Sequence, residues 1–155
     1  MKTRTALRVI VTAVMVCTSH GAVAESATQF ELHKYEGQVV VLDFWASWCV
    51  PCRRSFPWLN AMHDKYSSQG LVVIGVNVDN DPAAAAAFLK EYPADFQIHY
   101  DTDAVLARQY DIQGMPSSVV IGRDGDIVET HIGFKVKRQN DYEAALVAAL
   151  NEGDE

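Results

Sequence analysis

Seven consecutive residues suited to a strand buried on both faces, Val39-Val40-Val41-Leu42-Asp43-Phe44-Trp45, end three residues before a cysteine pair, Cys49-Val50-Pro51-Cys52. A strand without polar alternation belongs inside a sheet that is covered on both sides, the situation of parallel and mixed sheets with flanking helices. Leu71-Val72-Val73-Ile74-Gly75-Val76-Asn77-Val78 is a second run of the same kind. Between the two, Phe56, Leu59, His63 and Tyr66 recur at helical spacing until Gly70 stops the pattern. Asp81 as cap and Pro82 at the first position, ahead of five alanines, mark the start of another helix. Phe96–Tyr100 alternates as a short strand, and Asp101 or Asp103 can cap the helix that carries Val105, Leu106 and Tyr110.

The last third holds Ser117–Ile121, the turn Arg123-Asp124-Gly125-Asp126, and Ile127–Ile132, two strand-like runs joined through Asp-Gly as an antiparallel hairpin. Tyr142, Leu146, Ala149 and Leu150 then give an amphipathic terminal helix. Residues 25–37, with their Phe30/Leu32 alternation, read as an edge strand leading into a turn at Gly37. Strands alternating with helices, followed by a hairpin and a helix, predict an α/β fold with helices around a mixed central sheet. Repeats, low-complexity tracts and linkers are absent, and 155 residues with 49% apolar content suit a single domain.

The first 24 residues stand apart. They contain Lys2, Arg4 and Arg8, no acid, the apolar run Val9–Val16, and then Ala22-Val23-Ala24. That order is the pattern of a secretory signal peptide with cleavage before Glu25, leaving 25–155 as the working domain and an exported, periplasmic location. The apolar run is shorter than the ~20 residues that span a bilayer, which argues against an uncleaved anchor. Lipidation at Cys17 is disfavoured by the bulky Val16 before it. Residues 25–155 carry all 20 acidic side chains and 10 of the 13 basic ones, a net charge of −10 with histidine neutral. Such a domain repels phosphate backbones, so nucleic acid is not an expected partner.

Cleavage removes Cys17 and leaves Cys49 and Cys52. A disulfide closing so short a loop adds little stability, so reactivity explains the pair better than stapling. Thiol–disulfide exchange needs a thiolate, access to the first sulfur, and a second thiol to resolve the mixed disulfide. A strand ending at Ala46-Ser47-Trp48 and a helix starting at Cys49 would supply all three. Unpaired N–H groups and the positive dipole end would lower the Cys49 pKa below its free value of ~8.5. Pro51 is tolerated there because the first helical turn has no N–H partner to lose. A structural zinc site would need two further ligands, and His33, His63, His99 and His131 show no paired ligand spacing. Asp79-Asn80-Asp81 lacks the ligand and glycine that a calcium loop wants after it, so capping is the better explanation. His131, at the end of a hairpin strand, shows no partner in the sequence, so a satisfied or solvated histidine is the expected reading.

Taken together, Asp43 through Arg53, the loop Gly114-Met115-Pro116-Ser117, Pro57 in the helix after Cys52, and the hairpin Gly125–Gly133 resemble thioredoxin-fold proteins. Within that superfamily the chain is most similar to exported TlpA-like and ResA-like reductases. Pro116 follows Cys52 by 64 positions, room for the helix and strand that those proteins insert before their cis-proline. One departure is Ser55, where many relatives tied to cytochrome c maturation have glutamate.

The resemblance implies a thiol–disulfide oxidoreductase that reduces protein disulfides through Cys49 and Cys52. Asp43 would be the buried acid exchanging a proton with Cys52, its pKa raised by burial. A cis Met115–Pro116 bond would present the Met115 backbone to an extended substrate. Trp48, Val50 and Pro51 would flank the substrate beside the nucleophile, whereas Trp45 reads as core, and Gly133 either allows close approach or ends its strand. No cofactor or metal is implied. The implied partners are protein thiols and disulfides and a membrane thiol-transfer reductant, with the chain itself a monomer. Two other functions remain open, a DsbA-like oxidant and a Sco-like metal-handling chaperone. The latter uses a CxxxC pair, one residue longer than the spacing here. The Thr-x-x-Cys segment of a peroxiredoxin is missing.

Overall fold

The structure is a computed structural model that describes residues 30–152. The segment 1–24, read as a signal, lies outside them. Five strands form one sheet in the order β3-β2-β1-β4-β5, with β1 at Val39–Trp45, β2 at Leu71–Asn77, β3 at Gln97–Tyr100, β4 at Ser117–Ile121 and β5 at Ile127–Ile132. Strands β1, β2 and β3 pair in parallel, and β4 and β5 join antiparallel, so the sheet is mixed as expected. Every residue of β1 is buried, because this strand is central and both its faces are covered.

Alternate residues of β1 feed two cores. Val39, Val41 and Trp45 pack with α1 (Cys52–Tyr66), α2 (Pro82–Glu91) and α4 (Gln139–Asn151), through Phe56, Leu59, Phe88, Leu146 and Ala149. Val40, Leu42 and Phe44 face the other way, onto Leu106 and Ala107 of α3 (Val105–Gln109). Helix α2 and strand β3 lie between β2 and α3, within the stretch from Cys52 to Pro116. Asp81 caps α2, its carboxylate accepting from the Ala83 N–H at 2.9 Å. Of the two candidate caps for α3, Asp101 serves, accepting from the N–H groups of Leu106 (3.1 Å) and Ala107 (2.8 Å).

Two expectations are corrected. Of the residues read as an edge strand ahead of Gly37, 25–29 lie outside the described residues and 30–36 form no strand. Leu32–Tyr35 is a single 3-10 turn, and Phe30, Leu32 and Tyr35 all pack on the Val40/Leu42/Phe44 side. A strand would have sent Tyr35 to the face opposite Phe30 and Leu32, whereas the turn brings the three together. The Gly37 turn itself is present, at φ +77°. The second correction concerns α1, which starts at Cys52 with Pro51 as its cap residue, three positions later than read from the sequence.

At the end of the sheet away from the cysteines, Arg123 ties three elements together. Its guanidinium donates to the carbonyls of Gly37 (2.8 Å), Gln69 (3.1 Å) and Leu150 (3.1 Å). A Cβ at Gly70, which sits at φ +92°, would stand 3.0 Å from that guanidinium, so glycine there serves both the turn and the approach.

Candidate active site

Cys49 and Cys52 are joined, with an S–S distance of 2.02 Å and Cα atoms 5.4 Å apart. The pair lies where β1 gives way to α1. A series of tight turns precedes the helix: Cys49 N–H donates to Ala46 O (3.0 Å), Cys52 N–H to Cys49 O (3.2 Å) and Arg53 N–H to Val50 O (3.3 Å). The Cys52 N–H also lies 3.2 Å from Cys49 Sγ. Cys49 therefore stands where a capping side chain would, its sulfur at the donor-rich start of a 15-residue helix. On reduction the same N–H is placed to stabilise a thiolate. Pro57 lies inside α1 and removes one N–H from its ladder.

The loop before the pair is held by a carboxylate that sequence reading assigned only to capping. Asp79 is buried and accepts three hydrogen bonds, from Ser47 N–H (2.8 Å), Ser47 Oγ (2.9 Å) and Asn77 Nδ2 (2.8 Å). It thereby anchors the Ala46–Cys49 turn to the end of β2. The signal available in the sequence was Asn77 and Asp79 at the end of a buried strand, but the partner Ser47 comes from a different strand end.

Asp43 is buried in the middle of β1, paired in register with Ser118 of β4. Ser118 Oγ donates to its Oδ1 at 2.6 Å, while Oδ2 has no hydrogen-bond partner among the described residues. Burial pushes its pKa up to about 7, with the Ser118 hydrogen bond pulling the other way. The Met115–Pro116 bond is cis. Pro116 O accepts from Gly133 N–H at 2.8 Å, and Ser117 Oγ donates to Gly114 O at 2.6 Å, which fixes this loop between β4 and the end of β5. Gly133 has φ +75° and nothing within 4 Å of a Cβ, so its role is conformational, ending the strand rather than admitting a close neighbour.

Trp45 is fully buried, its ring edge-on to Phe56 at 5.0 Å, and belongs to the core as expected. Trp48 and Val50, by contrast, are 66% and 55% exposed on either side of Cys49. Cys49 itself is only 3% exposed in the disulfide, less open than exchange chemistry suggested from sequence. Ser55 is buried and donates from Oγ to Cys52 O at 3.2 Å, a local helix bond in place of a second carboxylate.

Sheet order, the cis-proline loop and a Cys-x-x-Cys disulfide at a helix start define a thioredoxin-fold protein. The chain belongs to the Redoxin family, whose match spans residues 15–146. It is 32% identical over 111 residues to a thiol-disulfide oxidoreductase ResA of Bacillus cereus, an alignment covering 72% of this chain and 64% of that one. The ResA of Bacillus subtilis (strain 168) is 32% identical over 105 residues, covering 68% of this chain and 59% of the relative. The chain thus spans less than two thirds of the length of these curated relatives. Among solved structures, one described as a thiol:disulfide interchange protein DsbE from Chlorobium tepidum superposes with a TM-score of 0.76 at 42% identity, covering 77% of this chain and 85% of that one. StoA from Bacillus subtilis superposes with a TM-score of 0.62 at 26% identity, covering 72% and 84%.

Proposed function

We propose that this protein is a thiol–disulfide oxidoreductase that reduces protein disulfides. The observation that carries the reading is the Cys49–Cys52 bond at the start of α1, with a backbone N–H on Cys49 Sγ and exposed Trp48 and Val50 on either side. In the reduced protein the Cys49 thiolate attacks a substrate disulfide, forming a mixed disulfide and releasing one substrate thiolate. Cys52 loses its proton and attacks Cys49 Sγ, which closes the Cys49–Cys52 bond and releases the second substrate thiolate. The substrate gains two electrons and the pair loses them.

Asp43 takes the Cys52 proton, a role suited to a carboxyl whose pKa is near 7. The Met115 backbone beside Pro116 aligns an extended substrate segment, and Trp48, Val50 and Pro51 contact it. Substrates are protein thiols and disulfides, and a membrane thiol-transfer protein returns the pair to its reduced form. The secretory pattern in residues 1–24 supports export and a periplasmic site of action by a monomeric domain, 25–155. No helix among the described residues is long and apolar enough to cross a membrane.

Trapping tests the roles. Cys52→Ser is expected to accumulate mixed disulfides with client proteins, visible on non-reducing gels, while Cys49→Ser accumulates none. Equal trapping by both variants, or trapping by Cys49→Ser alone, would reverse the assignment.

A further inference from the structure

Asp43 is the first of three polar side chains in one row across the sheet. It is paired in register with Ser118 of β4, and Ser118 with His131 of β5. Directly opposed residues place their Cβ atoms roughly 5 Å apart and their side chains on the same face. Here that face is the one under α1 and α4. Ser118 Oγ is bonded to Asp43 Oδ1 at 2.6 Å. Ser118 and His131 both line a narrow cavity, closed by Trp58, Tyr142 and Leu146, with about 20 Å³ of room for the centre of a water molecule. That is enough for about one water. His131 Nε2 is buried and has no hydrogen-bond partner among the described residues. Its Nδ1 faces Glu129 Oε1 at 3.5 Å, and Glu129 is 40% exposed. An imidazole that keeps its proton on Nδ1, toward that carboxylate, presents Nε2 as an acceptor to the interior.

We infer that Ser118 and His131 extend Asp43 into a buried proton relay, from Cys52 to the Glu129 side of the sheet, which carries the Cys52 proton away from Asp43 while Cys52 attacks Cys49. The inference rests on the oxidoreductase reading above. The transfer balances at each station. Cys52 gives its proton to the Asp43 carboxylate. The resulting carboxylic acid donates to Ser118 Oγ, reversing the bond seen here, and the Ser118 hydrogen turns to a water in the cavity. That water protonates His131 Nε2, and His131 releases its Nδ1 proton to Glu129 and solvent.

Several groups face the imidazole. They are Glu129 on its own strand, Ser118 on β4, the Tyr142 ring of α4 at 4.6 Å, and Arg138 just ahead of α4. Burial holds the imidazole pKa below its usual value, with Glu129 opposing that shift and Arg138 adding to it. His131 is therefore mainly neutral at neutral pH, able to take a proton and to pass one on. It and Ser118 are positioning residues, acting on the reaction only through Asp43.

The test uses oxidised glutathione as the disulfide. Reduced protein is mixed with it, and release of the second glutathione, as Cys52 attacks Cys49, is followed by stopped flow between about pH 5 and pH 9. His131→Leu, His131→Gln and Ser118→Ala are each expected to slow that release roughly tenfold near neutral pH, less than the 10²–10⁴ typical of a group at the reacting atom. Ser118→Thr, which keeps the hydroxyl, is expected to retain the unsubstituted rate and pH profile. None of the three slowing variants should slow an Asp43→Asn protein further. The relay is overturned if both His131 variants reproduce the unsubstituted profile, or if their loss persists in full on the Asp43→Asn background. If the unsubstituted protein itself never closes Cys49–Cys52, the oxidoreductase reading falls and takes the relay with it.

Discussion

Asp43 sits between Leu42 and Phe44 in a strand with no exposed residue, and only one of its carboxylate oxygens has a partner. Its proton is held up to about pH 7 in the folded protein, against 3.8 for an ordinary aspartate. Between those values the native state binds more proton than the unfolded chain, so stability falls as pH rises through the interval and levels off above it. An interval of about three pH units corresponds to roughly 4 kcal/mol at its upper limit. Asp43→Asn cannot ionise. Oxidised Asp43→Asn is therefore expected to exceed the unsubstituted protein in stability by up to roughly 4 kcal/mol at pH 8, with the advantage fading toward pH 4. Urea unfolding at the two pH values measures this. A difference independent of pH would mean that the carboxyl is not held neutral by burial. An advantage that grows with pH as expected would mean that the same residue combines a cost to the fold with a use in the chemistry, the usual relation at a functional site.

Among the elements, the Ala46–Cys49 turn owes its position to Asp79. Three hydrogen bonds converge on that carboxylate, and removing it strands the Ser47 N–H and the Asn77 amide in a largely buried setting. Asp79→Ala is expected to lower stability by roughly 2–4 kcal/mol. It is also expected to slow exchange at Cys49, because the turn that presents the sulfur loses its anchor. Urea unfolding and the rate of insulin reduction read the two effects. Loss of stability with an unchanged rate would show that the turn is held by its neighbours instead.

Asp79 also marks where sequence reading stopped. Strands β1 and β2, the β4–β5 hairpin and the Asp81-Pro82 helix start were legible because each depends on residues adjacent in the chain. The same holds for the four buried positions of α4. The cysteine pair and the Gly114–Ser117 loop were legible as motifs. What escaped depends on pairing between distant segments: Ser47 with Asp79, Arg123 with three carbonyls, and Ser118 and His131 in register with Asp43. His131 meets Glu129 on its own strand, but its row with Ser118 and Asp43 is completed only when β4 joins β1 and β5. The Leu32–Tyr35 turn was misread for a related reason. Period two fitted Phe30 and Leu32, and only the position of the sheet face showed that Tyr35 must join them.

At the scale of the molecule, the two ends of the sheet do different work. Arg123 binds the Gly37 and Gly70 turns and the last turn of α4 at one end, leaving the cysteine pair, the cis-proline loop and exposed Trp48 at the other. For the proposed oxidoreductase, the central question is the direction in which electrons leave the Cys49–Cys52 pair. Val50 and Pro51 supply no positive charge or histidine to the Cys49 thiolate. A thiolate stabilised mainly by backbone N–H groups leaves the reduced form less favoured, and so makes the dithiol a better donor. The direct test is the midpoint potential of the Cys49–Cys52 pair, measured by equilibration with glutathione redox buffers. The expected value lies nearer thioredoxin's ~−270 mV than DsbA's ~−120 mV. A value at the DsbA end would contradict the account and make the protein an oxidant.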